Sequence, residues 1–156
     1  MIKHVMGSAG TVVTGIDDRM VQPNAVDLRI AKVFRVIPLS RFALTDETKE
    51  HLRREEMPPE GGWFRLTPGY YIVEFANKVS VGSDEVGVVI GRSTLMRNGV
   101  TFHSCLYDSG YHGQMVAGMD VRYSFDFPVG TRVAQFVVAE AEALKLYDGS
   151  YQGAGE

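Results

Sequence analysis

The stretch Arg92–Gly99 combines two guanidinium groups and two hydroxyl groups within eight residues. An Asn-Gly pair closes it. Such residues end helices because they readily adopt left-handed backbone, so the stretch predicts a short helix of about two turns. The start of a helix presents unpaired N–H groups and partial positive charge. Arg92 and Arg97 add forked donors that suit phosphate oxygens, and Ser93 and Thr94 add hydroxyl donors. The stretch is therefore a candidate phosphate cradle, although a capped surface helix with two solvated arginines explains the same residues equally well.

Asp108 lies in the sequence Tyr-Asp-Ser-Gly-Tyr-His-Gly, which spans residues 107–113. Asp-Ser-Gly is a turn signal, and an aspartate in a turn usually accepts hydrogen bonds from its own backbone. The local sequence favours that structural interpretation. The functional alternative is a carboxylate held at the end of a strand, where it orients and deprotonates a water molecule. Tyr111 would then pack flat against a sugar ring.

Polar residues also interrupt two segments that otherwise have the pattern of apolar strands. Asp27 stands one position inside the first segment. It is either satisfied by neighbouring groups or holds a magnesium ion through water, since Mg2+ keeps much of its hydration shell. Arg132 and Gln135 lie in the second segment, and buried polar groups need partners. These side chains therefore either stabilise the strands or face a ligand.

The last ten residues, 147–156, read Tyr-Asp-Gly-Ser-Tyr-Gln-Gly-Ala-Gly-Glu. A glycine-spaced terminus is usually frayed. The alternative is a flexible lid that closes over a bound ligand.

Short apolar runs between turn signals surround these residues and predict an all-β fold. Aromatic and β-branched residues fill the clearest run, 70–75, as they do in strands. Period-two alternation over 123–127 predicts a strand with one buried face. The short helix between two apolar strands is unusual in such a fold and marks the first place to expect function. The predicted strands are Val26–Ile37, Gly69–Phe75, Glu85–Ile90, Val100–Leu106, Gln114–Tyr123 and Thr131–Ala139.

The composition is that of one globular domain over residues 1–156. The net charge of −3 excludes a strongly basic chain, so no nucleic-acid partner is expected. Cys105 is the single cysteine, which excludes an internal disulfide and any zinc site built from several cysteines. Met1–Gly15 lacks the apolar core of a signal peptide, and no stretch approaches the roughly 18 apolar residues of a membrane span. We therefore expect a cytoplasmic protein with no membrane partner.

The order of the motifs is more specific than any one of them. Along the chain stand Q-P-N-A-V-D-L-R, L-T-P-G-Y-Y-I-V, G-R-S-T-L-M-R-N-G-V, Y-D-S-G-Y-H-G, G-T-R-V-A-Q and Y-D-G-S-Y-Q-G. This series resembles the dUTPase and dCTP deaminase superfamily, most closely its archaeal and viral dUTPase branch. The resemblance runs from about Gln22 to the C-terminus. Residues 1–20, an N-terminal extension, and residues 45–62, a charged and solvated insertion, do not share it.

The resemblance implies a compact dUTPase-like β-barrel, of β-clip or jelly-roll type, and a homotrimer with active sites between neighbouring subunits. It assigns activation of the attacking water to Asp108, packing under deoxyribose to Tyr111, and a water-mediated contact with Mg2+ to Asp27. It also implies that residues 147–156 are a flexible lid that orders over bound nucleotide. The other residues expected at the substrate are Arg92, Ser93, Thr94, Arg97, Gln135, Tyr151 and Gln152.

The activity that the resemblance implies is hydrolysis of dUTP to dUMP and pyrophosphate, with Mg2+ as cofactor. Backbone groups of Phe102–Tyr107 are expected to recognise uracil. A dCTP deaminase, alone or combined with dUTPase activity, is the alternative. A non-catalytic trimeric nucleotide-binding regulator is a further alternative from another class.

Gly118 is the main departure from the deaminase pattern. Deaminases of this superfamily place a catalytic glutamate ten residues after the aspartate that corresponds to Asp108, and that position is Gly118 here. The tail lysine and a base-contacting glutamine of many deaminases correspond to Ser150 and Ala154. These differences disfavour deamination, whereas the R-S-x-L-x-R pattern occurs in both branches and does not discriminate between them.

Overall fold

The computed structural model describes residues 1–155, so Glu156, the last residue of the predicted lid, lies outside the described residues. Strands dominate the chain, with one short α-helix and two 3-10 turns, Val5–Gly7 and Asp18–Met20. The helix α1 spans Ser93–Arg97. The strands are β1 (Ile2–Lys3), β2 (Val12–Val13), β3 (Val26–Val36), β4 (Ala43–Leu44), β5 (Lys49–Glu50), β6 (Arg54–Glu56), β7 (Trp63–Leu66), β8 (Gly69–Ser80), β9 (Glu85–Gly91), β10 (Val100–His103), β11 (His112–Val121), β12 (Phe125–Pro128) and β13 (Arg132–Glu140).

The structure confirms the predicted all-β class, and the single helix lies where the sequence predicted it. Two strand ends differ from the predicted ends by three residues or more, and the others differ by at most two. The strand that begins at Gly69 continues past Phe75 to Ser80. Asn77 fits within this strand because its side chain donates a hydrogen bond of 2.7 Å to the carbonyl of Thr14. β10 stops at His103, because the next residue, Ser104, turns to accept a hydrogen bond of 2.9 Å from the N–H of Val89 on β9.

The main sheet has nine strands in the order β1-β13-β3-β8-β11-β10, with three further strands attached beside this path. β2 pairs with β8, β6 with β3, and β9 with β13. β3 connects the two parts of the sheet. Its first residues pair with β13, and its residues from Ile30 onward pair with β8. The sheet does not close on itself among residues 1–155, so the expected barrel is an open, branched arrangement of antiparallel strands.

The core lies between these strands and is built from alternate residues, as the two-residue period of a strand requires. On β8, Tyr71, Val73 and Phe75 are buried while the residues between them are more exposed. Gly87 on β9 permits a close approach: a Cβ atom there would lie 2.1 Å from the ring of Phe136. No helix in residues 1–155 has the length and apolar character needed to cross a bilayer.

The N-terminal segment, residues 1–13, is attached to the sheet. β1 pairs with β13, with Ile2 opposite Ala139. Glu85, at the start of β9, has only 1% of its surface exposed and accepts a hydrogen bond of 2.6 Å from the Ser8 hydroxyl. The Thr11 hydroxyl donates to the same oxygen.

The insertion, residues 45–62, is exposed over residues 45–56 and carries β5 and β6. β6 pairs with the end of β3, with Glu56 opposite Phe34. The insertion is thereby anchored at its second half.

We expect the buried charge of Glu85 to make the protein sensitive to acid. Burial acts to raise the pKa of Glu85, but the hydroxyl bonds from Ser8 and Thr11 and the Lys3 ammonium outweigh it and hold the pKa below its ordinary value of 4.5. A carboxyl whose pKa is lowered by folding stabilises the fold above the unfolded-state pKa, and that contribution is lost as pH falls through the folded-state value. Glu85→Gln should therefore lower the free energy of unfolding at neutral pH by about 1–3 kcal/mol.

The same substitution should flatten the loss of stability below pH 4.5, the ordinary pKa of the group. Urea unfolding across this range measures both effects. Glu142→Gln, an exposed carboxyl, is the matched control. Equal pH dependence in Glu85→Gln and in the unmodified chain would contradict this account.

Candidate active site

Asp27 and Gln135 face each other across β3 and β13. The side chain of Asp27 is 1% exposed. Its Oδ1 accepts a bond of 3.1 Å from the Gln135 amide, and its Oδ2 accepts bonds of 3.1 Å from Arg132 and 3.2 Å from Gln22. The structure thus brings together Asp27, Arg132 and Gln135, whose roles the sequence left undecided. Arg132 and Gln135 both donate to Asp27, so this buried carboxylate has the hydrogen-bond partners that it needs.

Arg92 links this cluster to α1. Its N–H donates to the carbonyl of Val133 at 3.1 Å, and its Nη1 donates to the carbonyl of Arg132 at 2.9 Å. The start of the helix is therefore fixed beside β13. The other polar residues of this motif, Ser93, Thr94 and Arg97, point to solvent and are exposed.

A cavity of about 530 Å³ lies beside the cluster, and four arginines line it together with the turn 129–131. Arg29 stands opposite Arg132 in the strand register, an arrangement of like charges that is unfavourable unless anions lie close by. The remaining two arginines are Arg19 and Arg92. Two carboxylates, Asp17 and Asp27, balance only part of this charge, so the cavity favours a ligand with several negative charges.

The sequence reasoning missed Arg19 and Arg29. Arg29 could have been identified from the sequence, because it stands two residues after Asp27 and residues at that spacing share one face of a strand. Its guanidinium contacts Asp17 at 2.8 Å, and this bond is the main cause that holds the pKa of Asp17 below its ordinary value. Arg19 lies in a 3-10 turn, and no pattern in the sequence placed that turn beside β13.

Asp108 lies in the turn 107–111, which we call the Asp108 turn. The N–H of Tyr111 donates to the carbonyl of Asp108 at 3.0 Å, and Gly110 adopts the left-handed region with φ 81°. The carboxylate itself is exposed and accepts no hydrogen bond within residues 1–155. The turn therefore forms without a hydrogen bond to this carboxylate. It differs in this respect from a turn in which the aspartate side chain accepts hydrogen bonds from its own backbone.

Tyr111 is 8% exposed, which is more buried than a freely presented sugar platform. Its ring meets Tyr107 and Tyr147 edge-on, with centroid separations of 5.5 and 5.4 Å. Its hydroxyl donates to the carbonyl of Gln114 at 2.9 Å. Burial raises the pKa of Tyr111, so the hydroxyl stays protonated as the donor.

The Asp108 turn and the arginine cavity lie at opposite ends of β9. Tyr107 pairs with Gly87, so Asp108 lies beside residue 86, whereas Arg92 follows the far end of the strand. Six residues of extended chain span roughly 20 Å. Asp108 and Arg92 of one chain are therefore too far apart to contact the same phosphate group.

The tail lies against the residues that follow the Asp108 turn. Gly153 donates to the carbonyl of His112 at 2.9 Å, and the N–H of Gln114 donates to the carbonyl of Ala154 at 2.8 Å. The side chain of Gln152 accepts from the N–H of His112 at 3.1 Å and donates to the carbonyl of Gly110 at 3.0 Å. Gln152 thus lies beside the Asp108 turn, and its contact with substrate and the mobility of the lid stay predictions.

Tyr151 contacts the insertion. Its ring lies 5.0 Å from the Lys49 ammonium, and its hydroxyl lies 3.3 Å from Nε2 of His51. The Lys49 ammonium also donates to the Ser150 hydroxyl at 3.1 Å. The insertion therefore supports the tail, a contact that no motif in the sequence indicated.

The hairpin formed by β10 and β11 opens between Gly118 and the Asp108 turn. His103 is the last paired residue of β10 and stands opposite Gly118. Beyond it, the Tyr107 hydroxyl takes the place of a strand partner: it donates to the carbonyl of Val116 at 2.7 Å and accepts from the N–H of Val116 at 2.9 Å. Burial raises the pKa of Tyr107 and keeps this hydroxyl protonated. The segment 104–106 therefore separates from β11, which leaves room beside its backbone.

Comparisons with known proteins identify the family of this chain. The family model described as dCTP deaminase-like matches residues 1–141. The chain belongs to the dCTP deaminase-like family. It is 32% identical over 143 residues to a protein of Halobacterium salinarum named "Probable deoxyuridine 5'-triphosphate nucleotidohydrolase", covering 88% of this chain and 86% of that one. It is 27% identical over 141 residues to the "Deoxyuridine 5'-triphosphate nucleotidohydrolase" of Methanocaldococcus jannaschii, covering 88% and 90% of the two chains.

Two solved structures share the fold of this chain. A 2'-deoxycytidine 5'-triphosphate deaminase of Agrobacterium tumefaciens matches with a TM-score of 0.65 and 17% identity. That match covers 87% of this chain but spans only 45% of the deaminase. The dUTPase of Staphylococcus bacteriophage 80alpha, solved with dUpNHpp, matches with a TM-score of 0.56 and 13% identity, covering 92% of this chain and 89% of the phage protein.

Within this dCTP deaminase-like fold, the end of the Tyr70 side chain occupies the space beside position 118, and Tyr70 is 46% exposed. A Cβ atom on Gly118 would lie 2.1 Å from the hydroxyl oxygen of Tyr70. The Tyr70 side chain extends from β8 to the last residue of β10, where its ring packs against the His103 ring with centroids 6.0 Å apart. An acid at position 118 would therefore require Tyr70 to move.

Asp27 does not fit a directly bound magnesium ion. It is buried, and its two oxygens already accept bonds from Gln22, Arg132 and Gln135. Within residues 1–155 no group of three or more His, Cys, Asp and Glu side chains is placed to hold a metal.

We expect Asp27→Asn to destabilise the protein in the absence of metal and nucleotide. The substitution removes the negative charge that faces Arg132, whose side chain is 32% exposed, and should lower the free energy of unfolding by roughly 2–3 kcal/mol. Urea unfolding in excess EDTA measures the change. Asp46→Asn, an exposed residue, is the control. An unfolding midpoint unchanged from the parent chain would contradict the pairing described above.

Proposed function

We propose that this chain is a dUTP diphosphatase that hydrolyses dUTP to dUMP and pyrophosphate. The observation that carries the proposal is the exposed Asp108 carboxylate, which no group in residues 1–155 engages. A free carboxylate held by a rigid turn is suited to accept a proton from water. The names of the archaeal relatives support the same substrate.

Asp108 orients one water molecule for attack on the α-phosphorus of dUTP. The water oxygen forms a bond to the α-phosphorus while the bond to the bridging oxygen breaks, and Asp108 takes the proton. Pyrophosphate leaves with the electron pair of the broken bond. The protein's contribution is mainly positional and electrostatic, as is usual when phosphates are transferred.

The arginine cavity holds the phosphate chain. Arg92 lines it directly, and its motif partners Ser93, Thr94 and Arg97 extend the donor surface along exposed α1. Gln135 presents its amide at the edge of the same cluster through its bond to Asp27. Arg29 and Arg132, like charges in register across two strands, are stabilised when phosphate oxygens lie close to both.

Magnesium enters this scheme with the substrate. Mg2+ bound to the triphosphate neutralises its charge and that of the leaving pyrophosphate. Because Asp27 is buried and already bonded, it contacts the ion through water at most. We therefore assign no catalytic step to a metal held by this chain.

A second copy of the chain completes the site. Asp108 and Arg92 lie at opposite ends of β9, roughly 20 Å apart along the strand, so a nucleotide bound in the cavity of one subunit meets the Asp108 turn of another. This geometry supports the homotrimer that the sequence resemblance implies.

The opened hairpin recognises the base. The backbone of residues 104–106 separates from β11, where Tyr107 holds the groups of Val116. Backbone N–H and carbonyl groups in this opening match O4 and N3–H of uracil and not the amine of cytosine. Tyr111, whose ring is largely covered by Tyr107 and Tyr147, supports the deoxyribose from the adjacent turn, and the tail residues Tyr151 and Gln152 cover the bound nucleotide.

One incubation tests the activity. The purified chain is incubated with Mg2+ and either dUTP or dCTP, and the products are separated by chromatography. We expect dUMP and pyrophosphate from dUTP and no change in dCTP, because Gly118 has no side chain that could transfer protons. Deamination of dCTP would instead show a dCTP deaminase or a bifunctional enzyme. Binding of dUTP without turnover would favour a nucleotide-binding regulator.

Asp108→Asn tests the mechanism. We expect it to lower kcat by about 10²–10⁴-fold, the range for losing a positioned base, while a non-hydrolysable dUTP analogue still binds. Asp126→Asn, an exposed aspartate on β12, is the matched control and should keep normal turnover. Near-normal turnover of Asp108→Asn would contradict the assignment.

A further inference from the structure

The side chain of Glu85 has partners only from the N-terminal segment among the described residues. It accepts from the hydroxyls of Ser8 and Thr11, and its Oε1 lies 3.6 Å from the Lys3 ammonium. With 1% of its surface exposed, this carboxylate is stable only because these groups replace water. These contacts attach the N-terminal segment to the start of β9.

Thr11 connects the segment to the turn 81–85, which we call the hub turn. Its hydroxyl donates to Glu85 and accepts a bond of 3.0 Å from the N–H of Gly82. The backbones also touch: a Cβ atom on Gly82 would lie 3.0 Å from the Cα of Gly10. The contact leaves no space for rearrangement.

The opposite side of the hub turn holds the Asp108 turn. Val81 donates to the carbonyl of Tyr111 at 2.8 Å and accepts from Gly110 at 3.2 Å. The hydroxyl of Ser109, 4% exposed, donates to the carbonyl of Glu85 at 2.7 Å. The hub turn is thus bonded to the N-terminal segment on one side and to the Asp108 turn on the other.

We propose that Glu85 is a positioning residue through which the N-terminal segment fixes the Asp108 turn for catalysis. The carboxylate of Asp108 has no bond of its own within residues 1–155, so its place is set by the backbone of its turn. That backbone takes its position from the hub turn. A misplacement of about 1 Å at a reacting group lowers rates strongly, so loosening the hub turn should reduce kcat. This inference rests on the proposed role of Asp108.

Thr11→Val tests the connection because it keeps the side-chain shape and removes both hydroxyl bonds. We expect kcat for dUTP to fall about tenfold while KM stays within about twofold, since the phosphate-binding arginines are untouched. Thr11→Ser restores the hydroxyl and should restore kcat. Thr14→Val is the matched control: its hydroxyl accepts from Lys78 on β8 at 2.9 Å and does not reach the hub turn.

Ser109→Ala is a second variant, which removes only the bond to the carbonyl of Glu85. It should show the same fall in kcat at constant KM. The double variant with Thr11→Val should fall by less than the product of the two single effects, because both act on one path. Multiplicative effects, or an unchanged kcat in both single variants, would overturn the inference.

Hydrogen exchange separates this inference from the proposed function. The amide of Gly110, bonded to Val81, should exchange faster in Thr11→Val than in the parent chain, and at the parent rate in Thr14→Val. If the parent chain fails to hydrolyse dUTP, the proposed function falls, and faster exchange at Gly110 still supports the physical coupling. Unchanged exchange overturns that coupling. Faster exchange with unchanged kcat in an active enzyme overturns the positioning role.

Discussion

The buried carboxylate of Asp27 is the contact on which the arginine cavity depends. It accepts bonds from the chain that leads into β3 and from two side chains of β13, so it joins the elements that form the cavity wall. Arg132, one of these partners, also offers its carbonyl to Arg92, which fixes the start of α1 to the same point. A buried carboxylate is stable only when its partners are complete. The positions of Arg132 and Arg92 therefore follow from this one satisfied charge, whereas Arg29 is held by Asp17.

β9 sets the distance between the two halves of the site. At one end it passes into Arg92 and α1, and at the other it begins with Glu85, which is bonded to the Asp108 turn through Ser109. A paired strand does not shorten, so the arginine cavity and the Asp108 carboxylate stay apart within one chain. Under the proposed function, the two halves of one site therefore come from different copies of the chain.

Small differences in side-chain space separate the chemistries that this fold supports. The hydroxyl of Tyr70 occupies the place of a side chain at Gly118, and the hydroxyl of Tyr107 replaces a strand partner for Val116. Under the proposed function, the first leaves no proton-transferring side chain beside the base. The second then keeps open the part of the hairpin whose backbone recognises the base. Both effects come from phenols that reach across the sheet, while the strand order is that of an ordinary antiparallel fold.

The sequence by itself determined β3, β8, β9, β10, β11 and β13, the short helix and the polar residues within them, because alternation, turn signals and an Asn-Gly helix stop are local features. It also marked Asp27, Arg132 and Gln135 as groups in need of partners, although their pairing with one another depends on the register of β3 and β13. Only the tertiary structure decided that Arg29 faces Arg132, that Tyr111 is covered by Tyr147, and that the N-terminal segment surrounds Glu85. These contacts join residues that are far apart in the chain. No local pattern encodes them, because their energy comes from burial and hydrogen bonding that exist only once the sheet has formed.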